Sequence, residues 1–490
     1  MDGIPELSRS PSFFSPKDAA QLRERLAEID AEILELQARL VCLATARKPI
    51  VHSLKSASFP VVSIPPEIIA EIFLHYVDSA HIGGTGSGAP YAPGTRAGGF
   101  GPLILASVCR AWRAVAISLP SIWSTVQLYA VPDTISPTEK LLQCWLPRAA
   151  SHSLDIQIGS PSGLDLLMPL ISPYSLQLRS FSCGFDTPIS FPEVLIRGRI
   201  PSLRRLEVSL EVTREEVIAP VTAFFDAPAL RDVHLIDFTF AWILLPWGQL
   251  TNFECSGQTA AECLEMLQYT PLLEALTVDL SPPDNLSAVA VRLDRLHTLK
   301  FSKYQESIHL IDHLTLPLLT HLELPVLTQQ SASHLVGFFA RTAPSLDSVA
   351  ICDTPAYTTL ACLHAMPTVS AVRLTDPPGT PREFSEIFDA LTHDAGLLPN
   401  LKSLSLSPCS GVEIPYASLA DMLTMRRRAH LTLFELNCEE DRPFEPPIDV
   451  VEVQRSLEIL EVLATGGLNM KIRGLQKLSG SVDPWALCPR

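Results

Sequence analysis

The sequence has few basic residues relative to acidic ones. Its 490 residues include 37 lysines and arginines against 53 aspartates and glutamates, and the formal net charge is −16. Nucleic-acid binding needs a clustered basic face, so this balance argues against a nucleic-acid partner. The single basic run, Arg426 to Arg428, is interpreted as the solvated end of a helix.

Paired cysteines and long apolar runs are also missing. The 11 cysteines are dispersed, with no C-x-x-C pair and no Cys/His cluster at zinc-ligand spacing, so we expect reduced thiols and no metal or other cofactor. No apolar run reaches the roughly 18 residues of a membrane span. The opening residues MDGIPELSRSPSFF contain neither a basic leader nor an apolar segment. These absences predict a cytoplasmic or nuclear protein with no membrane partner.

Motifs of catalysis are absent as well. The sequence contains no G-x-S-x-G elbow and no H-E-x-x-H motif. A phosphate-binding loop needs a lysine after its glycines, whereas the glycine-rich segment GGTGSGAPYAPGTRAGGFG has none and follows a helical pattern. The histidines are scattered singly. The sequence therefore predicts an interaction protein and not an enzyme.

An amphipathic helix is predicted at residues 17–48, after a disordered segment at 1–16. Ser15, Pro16 and Asp18 form a helix start, and Pro49 bounds the pattern. Seven apolar residues between them alternate steps of four and three, the repeat of a coiled-coil seam. They are Leu22, Leu26, Ile29, Ile33, Leu36, Leu40 and Leu43. Packing on the chain's own body and self-association through residues 17–47 both remain open.

A small three-helix domain is predicted at residues 60–125. Apolar residues from Ile64 to Tyr76 give two adjacent stripes on one short helix. After a glycine-rich loop at 78–102, another apolar face continues past Pro120. Its members are Leu105, Cys109, Trp112, Ala116, Leu119, Ile122 and Trp123. Because these faces are too apolar to stand alone, we expect them to cover one another.

From about Ser175 onward an L-x-x-L-x-L pattern recurs, often introduced by proline. Its first leucines include Leu250, Leu273, Leu296 and Leu319, at three successive steps of 23 residues. Helix-like stretches lie between the strands, so the pattern predicts an α/β fold with an irregular solenoid of parallel strands and return helices at 126–475, followed by a tail at 476–490. The asparagine that usually follows such a strand is missing. Aspartates are candidates to replace it: Asp237, Asp353 and Asp376.

Residues that flank the second apolar position of each unit should point away from the core, because side chains alternate along a strand. They predict a polar surface of mixed charge along the inner curve of the sheet, suited to a protein substrate. The candidate substrate-binding residues are Arg205, Glu207, His234, Glu254, Lys300, His321, Glu323 and Arg373. Asp232, Asn252, Thr298 and Ala371 belong to the same pattern.

The two apolar segments resemble the F-box family, specifically the F-box-like proteins with leucine-rich repeats that are abundant in mushroom-forming fungi. Residues 64–73, IPPEIIAEIF, match the opening of the box, and residues 108–123, VCRAWRAVAISLPSIW, match its second half. The heptad helix before the box and the repeats behind it also look like that architecture. The resemblance therefore covers most of the chain.

The resemblance implies a substrate-recognition subunit of a Skp-cullin-F-box type E3 ubiquitin ligase. The box would dock a Skp-type adaptor and, through it, a cullin scaffold, while the repeats hold an unknown protein substrate. The implied adaptor-binding residues are Ile64, Pro65, Glu67, Ile68 and Ile72, and the implied core residues are Phe73, Cys109, Trp112 and Trp123. Two alternatives stay open: a coiled-coil and repeat scaffold outside any ligase, and a regulator that engages the adaptor without substrate turnover.

Overall fold

The computed structural model describes most of the chain between Pro16 and Arg473. The described ranges are 16–56, 64–82, 101–128, 135–159, 164–185, 196–210, 220–281, 289–302, 305–342, 345–375, 381–408, 414–437 and 450–473. The predicted tail at 476–490 lies outside them, as does all of the predicted N-terminal segment except Pro16.

The first helix, α1, spans Pro16–Ser56. The predicted end at Pro49 is wrong, because the helix continues through this proline to Ser56. A proline lacks an N–H group, so it removes one backbone hydrogen bond while the residues on either side keep theirs. Every residue of the apolar seam is exposed, from 43% at Ile29 to 66% at Leu40. Packing of the seam on the chain's own body is therefore not seen within the described ranges.

Three short helices follow. They are α2 at Pro66–Ile82, α3 at Gly101–Val108 and α4 at Arg110–Ser118, and a 3₁₀ turn at Pro120–Trp123 ends the group. The predicted glycine-rich loop at 78–102 is too wide, since α2 runs to Ile82 and α3 begins at Gly101; residues 83–100 lie outside the described ranges. We refer to residues 64–82 and 101–123 together as the helical module.

The predicted apolar faces of the helical module pack on one another. Helix α2 contacts both α3 and α4, and α3 contacts α4. Their shared core contains Phe73, Leu105, Ala116, Ile122 and Trp123, none of which is more than 4% exposed. The burial of these side chains stabilises the module, because removing apolar surface from water is the main driving force for packing.

Beyond the module, 14 strands form one parallel sheet in chain order. Strands β8 and β10 pair separately with each other. The strands are β1 Thr125–Leu128, β2 Leu154–Ile158, β3 Leu178–Phe185, β4 Arg205–Leu210, β5 Asp232–Ile236, β6 Asn252–Ser256, β7 Ala275–Asp279, β8 Val291–Arg292, β9 Thr298–Phe301, β10 Leu314–Thr315, β11 His321–Leu324, β12 Ser348–Cys352, β13 Ala371–Thr375, β14 Ser403–Ser407, β15 Leu433–Asn437 and β16 Asn469–Arg473.

Helices connect many of these strands. They are α5 Ile135–Trp145, α6 Leu164–Ile171, α7 Ala260–Leu267, α8 Gln329–Thr342, α9 Ala356–His364, α10 Pro381–His393, α11 Tyr416–Ala429 and α12 Val450–Thr465. Since the strands alternate between a buried and an accessible side chain, one face of the sheet belongs to the core. The chain is therefore an α/β protein with a long parallel sheet in a solenoid-like arrangement. No helix within the described ranges has the length and apolarity to cross a membrane.

The 23-residue spacing sets the register in which neighbouring strands pair. Asn252, Ala275, Thr298 and His321 begin four strands that are neighbours in the sheet and pair with one another in that order. The leucine two positions before each of these strands is fully buried. Units of equal length form the same backbone hydrogen bonds with each neighbour. A constant spacing therefore gives every pair of strands the same register.

The turns after several strands are left-handed. Asp237 and Asp353 have φ of 60° and 38°, and Gly257 has φ of 83°. The amide of Asp237 donates to the Ser256 carbonyl at 2.7 Å, and the amide of Asp353 donates to the Thr375 carbonyl at 2.9 Å. These two aspartates thus stand in the expected turn position and extend the ladder by one bond. Asp376 lies outside the described ranges.

Arg426 corrects a prediction. Its side chain is only 6% exposed, so the interpretation of this basic run as a solvated helix end is wrong at its first residue. The guanidinium donates to the carbonyls of Leu397 at 2.7 Å and of Leu398 and Asp394 at 3.1 Å, and it also reaches the carbonyl of Leu391. These groups end α10 and form the following turn, where carbonyls lack helical partners. Arg426 therefore fixes the connection between α10 and β14.

We expect Arg426→Met to lower the free energy of unfolding by about 3 kcal/mol, because several buried carbonyls lose their donor. Arg428→Met is the matched control, since Arg428 lies two residues away and is exposed. Denaturant unfolding followed by circular dichroism measures both. Equal stability of the two variants would contradict the structural role assigned to Arg426.

Candidate functional site

Helix α2 carries apolar side chains on two faces. Ile69, Phe73 and Val77 are at most 6% exposed and belong to the core. Ile68 and Ile72 are 54% and 46% exposed. They lie one helical turn apart, and therefore on the same side of the helix. We call Pro65, Ile68, Ile72 and Tyr76 the outer α2 face. Glu67, a predicted adaptor-binding residue, lies about 100° around the helix from Ile68 and outside this face. An exposed aliphatic stripe beside a buried one is typical of a helix that packs on the chain and on a partner.

The start of α2 supports the outer α2 face. The carbonyl of Pro65 accepts from the amides of Ile68 at 3.0 Å and Ile69 at 3.1 Å, which fixes the first turn. Glu67 lies in that turn and is exposed. Its negative charge stabilises the helix there, because the N-terminal end of the helix dipole is positive. Ile64 differs from the other predicted adaptor-binding residues because it is half-buried against the core.

Exposed apolar residues also occur on the neighbouring helices. Ile104 and Val108 on α3 are 43% and 56% exposed, and Ile117 on α4 is 47% exposed. The sequence did not single these residues out for exposure. The spacing around Leu105 and Ala116 gives the buried face only, and the structure shows that apolar residues continue beyond it.

The predicted core residues differ in how deeply they are buried. Phe73 is fully buried, and its ring meets that of Trp112 edge to face with centroids 5.1 Å apart. Trp112 itself is half-buried. Cys109 is half-buried too and serves as the N-cap of α4, where its sulfur accepts from the amide of Trp112 at 3.4 Å. The predicted continuous face from Leu105 to Ala116 is thus interrupted at Cys109.

Trp123 joins the helical module to the sheet. Its side chain is fully buried, and its indole N–H donates to the Ala116 carbonyl at 2.7 Å. The Trp123 carbonyl accepts from the indole of Trp145 at 2.8 Å, and the two rings meet edge to face with centroids 4.9 Å apart. The guanidinium of Arg148 lies 4.6 Å from the Trp123 ring centroid, a cation–π contact. Trp145 and Arg148 were not predicted, because they lie in a segment without the repeated pattern.

We expect Trp123→Ala to lower the free energy of unfolding by about 3 to 5 kcal/mol, the range for a fully buried aromatic. Trp112→Ala should cost less, because Trp112 is half-buried. Trp112→Phe should stay close to the unaltered chain, since the indole nitrogen of Trp112 is buried without an acceptor in the described ranges. Denaturant titration of the three variants measures the order of their losses in the free energy of unfolding. Equal losses for the two alanine variants would refute it.

The second surface is the face of the sheet formed by the accessible side chains, which we call the open face. Between β4 and β13, the register aligns one residue from each of the eight strands of the large sheet in a line, which we call the middle row. Its members are Glu207, His234, Glu254, Thr277, Lys300, Glu323, Ala350 and Arg373. Six of the eight predicted substrate-binding residues thus lie in one continuous row, on neighbouring strands about 4.8 Å apart.

The other two predicted residues occupy a parallel row two positions earlier. Arg205 begins β4, next to Asp232 on β5, and His321 begins β11, between Thr298 and Ser348. Both side chains are exposed. They therefore face the same side as the middle row without being part of it.

Polar contacts link the centre of the open face. The Nε2 atom of His234 lies 3.7 Å from Oε1 of Glu254 and 3.4 Å from the hydroxyl of Ser256. The hydroxyl of Ser302 donates to the Asp279 carboxylate at 2.7 Å. Glu207 and Glu254 supply negative charge on β4 and β6, and Lys300, Glu323 and Arg373 alternate in sign further along the row. Such a row suits a partner whose own charges alternate along its length.

The sequence pattern contained further residues of the open face. Thr277 and Asp279 of β7 follow from the same alternation rule applied to the unit at Pro271. Strands β1 and β2 carry Gln127 and Gln157 in the same register, although the predicted pattern begins only at about Ser175. Their strands were missed because the connections around them do not repeat the later spacing.

Reactive groups are few among the described residues. Burial raises the pKa of the Cys183 thiol, and burial raises that of Cys362 to about 12. A contact with Cys263 is the main cause of the raised pKa of Cys255, and its burial adds to it. These thiols stay protonated at neutral pH, so they are poor nucleophiles. Within the described ranges no group of three or more histidine, cysteine, aspartate or glutamate side chains is arranged to hold a metal ion.

Comparison with known proteins adds no relative: no family model matches the chain, and no curated protein matches it. Function has to be inferred from the outer α2 face and the open face.

Proposed function

We propose that this protein is an F-box-like protein with leucine-rich repeats and acts as the substrate-recognition subunit of a Skp-cullin-F-box type ubiquitin ligase. In this proposal the outer α2 face binds the Skp-type adaptor, which connects the chain to a cullin. The open face of the repeats holds a protein substrate. The chain itself performs no bond chemistry and contributes proximity between substrate and conjugating partner.

The observation that carries the proposal is the double-sided helix α2. Ile69 and Phe73 anchor it in the helical module, while Ile68 and Ile72 remain exposed. Aliphatic side chains at this exposure are costly to leave in water and are suited to a partner groove. They are also the residues that match the adaptor-binding part of the F-box motif.

Trp123 links the element that carries the outer α2 face to the sheet that carries the open face, and this link supports the same proposal. A receptor of this kind has to hold its substrate at a fixed position relative to the adaptor. The Trp123–Trp145 contact connects the helical module to α5, and β1 follows Trp123 after a single residue. The two surfaces thus belong to elements that share buried side chains.

The second candidate is a scaffold that self-associates through α1 and never meets a ligase. The uncovered seam of α1 favours it, since a scaffold needs a means of association. The two candidates differ in one respect that is easily measured, which is capture of the adaptor.

We expect Ile68→Asp to abolish capture of a Skp-type adaptor by the full-length chain, because a carboxylate would have to be buried in an apolar contact. Val462→Asp is the matched control: Val462 is an aliphatic residue of α12 with 67% exposure, and it lies far along the chain. Co-purification of a co-expressed Skp-type adaptor measures the effect. Equal adaptor recovery with both variants would end the proposal, and no recovery with the unaltered chain would favour the scaffold.

A second prediction concerns the open face. Lys300→Glu combined with Arg373→Glu should leave adaptor capture intact and reduce ubiquitination of the substrate, because two positive charges of the middle row become negative. Arg382→Glu is the control, since Arg382 is exposed on helix α10 and not on the open face. The test substrates are proteins that accumulate when the chain is removed, assayed with the reconstituted ligase. Unchanged ubiquitination of all of them would contradict the placement of the substrate on this face.

A further inference from the structure

Helix α1 has the features of one strand of a coiled coil. Its seam residues lie along one side of a helix of 41 residues, and all seven are exposed. In heptad notation, Leu26, Ile33 and Leu40 occupy the a positions. The d positions hold Leu22, Ile29, Leu36 and Leu43. A single helix of this kind cannot bury its seam, so a second helix is required to cover it.

We infer that a second copy of this chain covers the seam, and that the two α1 helices pair in parallel and in register. The flanking charges carry this choice of partner. In a parallel pair, each g residue faces the e residue five positions later on the other helix. Arg25 at g then meets Asp30 at e of the second copy, and the contact occurs twice by symmetry.

The remaining flanking positions of the parallel pair are compatible with it. Glu32 faces Gln37, and Arg39 faces Ala44. No like charges are opposed between Arg25 and Ala44. Arg25 also lies 2.8 Å from Glu28 of its own helix, and its guanidinium has enough N–H groups to bond both carboxylates.

Antiparallel pairings fit less well. The alignment that sets Ile33 opposite Ile29 places Glu32 against Glu32 and Arg25 against Arg39. Moving one helix by a heptad in one direction removes these repulsions and pairs Glu32 with Arg39, but it sets each Leu22 against Arg47 and leaves six apolar layers. In the parallel pair all seven apolar layers are kept, and Arg47 faces Arg47 only beyond the last of them.

Moving the helix by a heptad in the other direction leaves part of the seam uncovered. Leu40 and Leu43 then face positions that precede Pro16, where α1 begins. The parallel register alone keeps all seven apolar layers together and pairs opposite charges beside them.

Two chains joined in this way would present two open faces and two outer α2 faces on one particle. A partner with two binding segments would then dissociate more slowly, because the second contact forms at high effective concentration. This consequence rests on the proposed function, whereas pairing of α1 does not require adaptor binding.

The first experiment measures the mass of the purified full-length chain by light scattering at micromolar concentration, without adaptor. We expect twice the mass of one chain. Ile33→Asp should give the mass of a single chain, because two carboxylates would enter the seam and raise the dissociation constant by at least about a hundredfold. Leu34→Asp is the matched control: Leu34 is 72% exposed and occupies a b position on the side of the helix away from the seam, so this variant should remain paired. A single-chain mass for the unaltered chain, or a threefold mass, would overturn the inference.

The second experiment tests the charge contact. Arg25→Glu and Asp30→Arg should each weaken pairing about tenfold at low salt, because each replaces two attractions with two repulsions. The double variant should recover the original affinity, and a mixture of the two single variants should form mixed pairs. Failure of the double variant to recover, with the single variants weakened, would refute the Arg25–Asp30 contact.

Orientation is tested by a cysteine at the start of the seam. Leu22→Cys in a background of Cys42→Ser and Cys144→Ser should form a disulfide between chains under mild oxidation, since the two residues face each other only in the parallel register. Cys42 and Cys144 are exchanged because both are exposed. A doubled mass without this cross-link would overturn the parallel orientation. Because all three experiments omit the adaptor, their failure is distinguishable from failure of the proposed ligase function.

Discussion

The buried indole of Trp123 is the contact on which the arrangement of this protein depends. The ring fills the core of the helical module and its N–H donates to the Ala116 carbonyl, while the backbone carbonyl of Trp123 accepts from the indole N–H of Trp145. The chain passes from the last turn of the module into β1 within two residues. A large apolar side chain that makes one hydrogen bond, on a residue whose backbone carbonyl makes another, leaves little freedom at this junction. The position of the outer α2 face relative to the sheet follows from it.

The parallel sheet brings residues that are evenly spaced in the sequence side by side on one surface. Equal units pair in register, so residues at equivalent positions line up across neighbouring strands, as Glu254, Thr277 and Lys300 do. Strand order equals chain order throughout the 14-stranded sheet, so charge varies along the open face as it varies along the sequence. Acidic and basic side chains are therefore interspersed along the open face, as Lys300, Glu323 and Arg373 show. A partner would meet them in a fixed order.

Much of the fold and part of the candidate surfaces could be predicted from local patterns. The leucines from Leu250 to Leu319 predicted strands and their register, because apolar spacing reports which side chains must leave water. Alternation along each strand placed Glu207 and Arg373 on the open face. The same reasoning failed where a residue's surroundings come from distant segments. Cys109 fits an apolar face by spacing, yet it caps a helix, and Arg426 fits a solvated helix end, yet it binds carbonyls of α10 and the turn after it.

The sequence by itself determined the alternation of strands and helices, the two apolar stripes of α2 and the seam of α1, because each depends only on periodicity along a short stretch of chain. Tertiary structure alone decided which stripe is buried, which tryptophan forms the junction and how far α1 continues past Pro49. Burial depends on contacts between residues far apart in sequence, such as Trp123 with Trp145, and no local period encodes the partner of a side chain.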